Sequence, residues 1–105
     1  MNFSNDDIKL HEKVNIFLSG WFDSIRNKKE KDLFLDENLF FNHFKPKSEK
    51  EVYLIRMALS SGIVGYNYAA GTELVKSNLP KDHIDRAKEM IPEERIQDKH
   101  KNENG

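Results

Sequence analysis

The window from Met57 to Thr72, MALSSGIVGYNYAAGT, carries no charge in a chain that is 33% Asp, Glu, Lys and Arg. A stretch this apolar in so polar a chain has to be covered, so it forms the spine of whatever domain the chain builds. Val52, Ile55, Leu59, Ile63, Tyr66, Ala70 and Leu74 recur at spacings of three and four, which places them on one helical face. Ser48 and Glu51 ahead of them match the S-x-x-E capping box, and Lys76-Ser77-Asn78 with Pro80 supply stop signals. The spacing predicts a long helix over 49–77. Gly62, Gly65 and Gly71 each cost a helix interior about 1 kcal/mol relative to alanine, so their presence calls for a use. Ser61, Gly65 and Ala69, four apart, line a smooth groove that admits a second helix. Two copies meeting there about a two-fold axis would give a homodimer. Two alternatives stand beside this: the groove receives the first helix at Gly20 and Trp21, or the helix stops at Ser61-Gly62 and Ile63 to Tyr68 is a strand.

The first helix is predicted from about Asn5 to Arg26. Ser4 can cap it, and Asp6 and Asp7 meet the positive end of the helix dipole. Its inward stripe is Ile8, His11, Val14, Leu18, Trp21 and Ile25, widened by Phe17 and Phe22. A polar connection follows at residues 26–31. The aromatic segment Leu33 to Phe44 has two readings. Asp36 caps a short helix over 36–44, with Leu35 stapled on Phe40, or Leu33-Phe34-Leu35 and Leu39-Phe40-Phe41 form a small hairpin. The helix is favoured, because an isolated two-stranded hairpin is marginal and no other strand is evident. A last helix over 80–91 carries Ile84, Ala87 and Ile91 inward, with Lys81–Asp85 and Asp82–Arg86 as i,i+4 pairs outside. Internal repeats are not evident.

A length of 105 residues and a hydrophobic content of 37% fit one domain with a thin core, or a core completed by a second copy. The domain is expected over 1–97, with 98–105 a disordered polar tail. A net charge of −1 lacks the global basic excess of a general nucleic-acid binder. The absence of cysteine excludes disulfides, thiolate zinc sites and cysteine catalysis. Without a basic, apolar leader at its start, and with an uncharged window shorter than the roughly 20 residues of a membrane span, the chain reads as cytoplasmic.

The sequence assigns no catalytic residue, no cofactor and no metal site. Gly62-x-x-Gly65 lacks the G-K-[ST] of a phosphate loop, and the four histidines lack metal-ligand spacing. Lys28, Lys29 and Lys31 before the Phe-rich segment, and Lys45 and Lys47 after it, together with His43 inside it, are the candidate binding residues. Lysines interleaved with aromatic rings can neutralise phosphates and stack bases.

Arg95-Ile-Gln-Asp-Lys-His100 reads R-x4-H and resembles the signature of the HEPN ribonucleases. That resemblance covers six residues, and Ile96 stands where the family carries a polar residue. It implies a small helical dimer in which Arg95 polarises a phosphate and His100 takes part in proton transfer, without metal.

The expected fold is an all-α small helical bundle with two long helices and two shorter ones, packed as antiparallel neighbours. The expected function is a non-enzymatic binding protein, a regulator or inhibitor docking on another protein. Abundant Lys, Asn and Ile with scarce Arg fit a bacterial or phage accessory protein. Binding of nucleic acid or an anionic nucleotide is the alternative, and a HEPN-like ribonuclease the third reading.

Overall fold

Helix α1, Asn5–Ile25, starts where Ser4 closes a reciprocal capping box with Asp7: the Asp7 N–H donates to Ser4 Oγ at 3.2 Å and the Ser4 N–H to Asp7 Oδ2 at 2.8 Å. The computed structural model describes residues 3–26, 33–71 and 74–90. Within them α1 is followed by strand β1 (Leu33–Leu35), helix α2 (Glu37–Phe44), helix α3 (Glu49–Ala70), strand β2 (Val75–Ser77) and helix α4 (Lys81–Glu89). The protein is therefore a small all-α bundle of two long and two shorter helices. A long helix, a three-residue strand and a short helix occur in that order twice.

Helices α1 and α3 form the main packing layer, and they run parallel. Their contacts advance together along both: Asp7 with Lys50, Leu18 with Gly62, Phe22 with Tyr66. The antiparallel arrangement expected from short connections is corrected here, because β1 and α2 carry the chain back before α3 begins. Gly62 lets the two helices approach closely: a Cβ there would overlap Leu18 Cδ2 and stand 3.7 Å from Phe22 Cε2. Phe22 and Tyr66 stack at 4.6 Å with their rings 9° apart. Val14, Leu18, Ile25, Ile55, Leu59 and Ile63 are buried between the two helices and their neighbours, with Trp21, Phe22, Tyr66 and Leu74 half-buried against them. Ile8, expected on the inward stripe, is instead exposed, and Asp7 takes the covered position by pairing with Lys50.

Helix α3 stays helical through Ile63 to Tyr68 but ends seven residues before the expected Ser77. Gly71 adopts φ 77°, a left-handed conformation that glycine reaches without a Cβ clash, and donates to the Asn67 and Tyr68 carbonyls. The chain then reverses into β2, which pairs in parallel with β1: Leu33 opposite Val75, Phe34 opposite Lys76, Leu35 opposite Ser77. So the Phe-rich segment is both strand and helix. Leu33–Leu35 is a strand, although its partner is β2 and not Leu39–Phe41, and α2 begins behind the Asp36 cap as expected. Leu35 and Phe40, the expected staple, are both fully buried. Asn78, just after β2, ties the two halves together: its Nδ2 donates to Asp36 Oδ1 at 2.8 Å and its Oδ1 accepts from the Glu37 N–H at 2.8 Å. No helix among the described residues is long and apolar enough to cross a membrane. Ile91 and the expected tail over 98–105 lie outside the described residues.

Candidate functional site

Where α3 gives way to β2, the chain needs a polar group at the boundary, and Asn67 supplies it. Its Nδ2 donates to the Val75 carbonyl at 2.9 Å and its Oδ1 accepts from the Val75 N–H at 2.8 Å. That double bond of contacts holds β2 beside the last turns of α3. Helix α4 then folds over α3, with His83 against Tyr53 at 5.5 Å between ring centroids and Arg86 donating to the Tyr53 hydroxyl at 3.5 Å. A cleft of about 550 Å³ opens between α3, β2 and α4. Its floor is apolar: Ile63, Val64, Val75 and Leu79 are buried and Ile84 half-buried. Lys76 and Lys81 stand exposed at its rim, and Lys88 also lines it. Chemically, such a cleft takes an apolar group that carries or adjoins negative charge.

The candidate binding residues of the Phe-rich region are dispersed. Lys28, Lys29 and Lys31 lie outside the described residues. His43 is exposed, with its ring 4.3 Å from that of Phe17 and edge-on to Phe44 at 4.8 Å. Lys45 caps α2 in a left-handed conformation, φ 50°, and its N–H donates to the Phe41 carbonyl at 2.8 Å. Lys47 lines a different depression from His43, beside Tyr53, Arg56 and His83. Phe40, Phe41 and Phe44 pack inward, while Phe34 is exposed. Phe40 is fully buried, edge-on to Phe17 at 5.1 Å, and Phe41 lies under the Arg56 guanidinium at 5.4 Å. Arg56 is itself held by two bonds to Glu37, at 3.0 and 3.1 Å, which push its pKa further up.

Comparison with models of known protein families, with curated proteins and with solved structures yields no match.

The small-residue groove is exposed at Ser61, Gly65 and Ala69. A Cβ on Gly65 or on Gly20 would meet nothing within 4 Å, which overturns the packing of Gly20 and Trp21 into that groove; Gly62 is the glycine that α1 uses. Among the described residues no group of three or more His, Asp or Glu side chains is placed to hold a metal ion. Arg95 and His100 lie outside the described residues.

The cleft is not legible in the sequence, because its walls come from three elements and the helical spacing runs on into one of them, β2. Asn67 was the available signal. It is the one amide in the uncharged window, and such a side chain inside an apolar helix needs a nearby backbone to bond.

Proposed function

We propose that the protein is a small non-enzymatic binding protein, a regulator or inhibitor, that docks an acidic, partly apolar segment of another protein in the cleft between α3, β2 and α4. The observation that carries this reading is the pairing of an apolar floor with a lysine rim at one concave site. The cleft volume falls in the range of ordinary binding pockets, roughly 300–1,000 Å³. Charge complementarity at Lys76 and Lys81 selects the sign of the partner and speeds its encounter, while the floor supplies contact area. The inward packing of Phe40 and Phe41 also favours this reading over base stacking by the Phe-rich segment.

Selection from a display library of linear peptides tests it. The expected outcome is enrichment of peptides that combine Asp or Glu with large apolar residues. Their binding, followed by fluorescence anisotropy, should weaken about tenfold or more in a Lys76→Glu, Lys81→Glu double variant, whose positions are exposed enough to leave the fold intact. Enrichment without acidic residues, or affinity unchanged in that variant, would overturn the proposal. Salt-sensitive binding of single-stranded RNA lost with Lys45 and Lys47 would instead support the nucleic-acid reading.

A further inference from the structure

Successive residues of a strand turn their N–H and C=O groups to opposite edges, and in the sheet of β1 and β2 this settles which groups are used. Val75 directs both of its backbone groups to Asn67, away from β1. Lys76, the next residue, therefore faces β1 and bonds the groups of Leu33 and Leu35. Phe34, opposite Lys76, is left with its N–H and C=O on the outer edge. No partner for either group is found among the described residues. The two edges of the sheet thus differ. That of β2 is closed by an asparagine side chain, and that of β1 is open at Phe34 among the described residues. The Phe34 side chain is also 56% exposed, on the face away from buried Leu33 and Leu35.

The geometry points to β1 as a self-association edge, where a second copy of this chain pairs antiparallel about Phe34. An open strand edge is matched by another strand, since only extended backbone presents donors and acceptors at that spacing. The argument for a second copy is self-complementarity. Two antiparallel β1 strands centred on the same residue let each Phe34 N–H donate to the other Phe34 carbonyl, which is the isologous contact a two-fold dimer requires. Both phenyl rings then fall on one face of a continuous sheet ordered β2–β1–β1–β2, as a cross-strand aromatic pair. Leu33 of one copy comes opposite Leu35 of the other on the covered face. The groove at Ser61, Gly65 and Ala69 is exposed as well, but it offers smooth surface alone, whereas β1 offers unpaired hydrogen-bonding groups.

Sedimentation of the full chain up to high micromolar concentration reads the outcome. Wild-type protein is expected to dimerise. Phe34→Pro deletes the outer N–H and spares the ladder bonds of Leu33 and Leu35, and Phe34→Lys adds charge to the open edge. Both are expected to sediment as monomers with wild-type circular dichroism, while Gly65→Leu remains dimeric. The Phe34 amide is expected to gain hydrogen-exchange protection as concentration rises. A wild-type monomer, a dimer that survives both Phe34 variants, or a dimer whose Phe34 amide stays unprotected would each overturn the inference. If Phe34→Pro loses its fold, Phe34→Lys and the exchange measurement decide. None of these readouts involves the cleft, so docking of acidic peptides stands or falls separately.

Discussion

Asn67 grips Val75 by both backbone groups, accepting from its N–H at 2.8 Å and donating to its carbonyl at 2.9 Å, eight residues further along the chain. One amide side chain thereby takes the place of a neighbouring strand. Val75 is buried, so its two groups have no water to fall back on.

Asn67→Ala is accordingly expected to lower stability by about 1–3 kcal/mol for each backbone group left unpaired, measured by urea denaturation. Asn67→Asp keeps the acceptor but sets a second carboxylate oxygen against the Val75 carbonyl, and should also destabilise. Equal stability of wild type and Asn67→Ala would show that the bonds to Val75 do not hold β2 in place.

Two glycines of α3 should respond in opposite directions to the same substitution. Gly65→Ala adds a methyl group to open space within a helix and is expected to stabilise by up to about 1 kcal/mol. Gly62→Ala drives a methyl group into Leu18, itself buried, so overpacking of about 1–3 kcal/mol outweighs the gain in helix propensity. Thermal melts of the two variants displaced to the same side of wild type would show that Leu18 yields to the added methyl group.

That contrast also shows what was legible in the sequence. Caps and apolar spacing located α1, α2 and the start of α3, since Ser4, Asp36 and Ser48 sit immediately ahead of periodic segments, and Pro80 with Ile84 and Ala87 located α4. Spacing placed Gly62, Gly65 and Ala69 on a helix but could not say which side would meet α1. Leu74 continues the three-and-four rhythm past Gly71, where one left-handed residue ends α3. Both strands were illegible for a physical reason. Three residues are too few to show a period, and β1 exists only because it pairs with residues 42 positions away. The cleft inherits that blindness. Val75, Lys76 and Leu79 gain their meaning from where β2 lies.

Ser60 is 1% exposed and its Oγ has no hydrogen-bond partner among the described residues. Replacing a buried, unpaired hydroxyl with hydrogen removes a desolvation penalty, and alanine is the better helix former. Ser60→Ala is therefore expected to raise the denaturation midpoint, with a gain of about 1 kcal/mol. A loss of stability would reveal that the hydroxyl is used.

Asp7 and Asp36 are both held below the ordinary carboxylate value of 3.8, Asp7 first by the bond from Lys50 and Asp36 first by the Asn38 N–H. A carboxylate whose pKa is lowered by folding stabilises the folded state above its unfolded pKa, and that contribution is lost as pH falls through the lower folded value. Melting temperature should thus hold steady down to about pH 4 and decline below it. In the Asp7→Asn, Asp36→Asn double variant the decline should be shallower. An unchanged acid profile would mean that other carboxylates govern it.

The parallel sheet has a consequence for how the protein is made. Synthesis delivers α1, β1 and α2 first, yet β1 has no partner until residue 77 of 105 has been added. Throughout that interval Leu33 and Leu35, covered in the finished molecule, have no strand to lie beside, and the nascent chain carries an unpaired apolar segment. Substitutions in β1 are therefore expected to show first in the yield of soluble protein during translation, before any change appears in the melting of the mature chain.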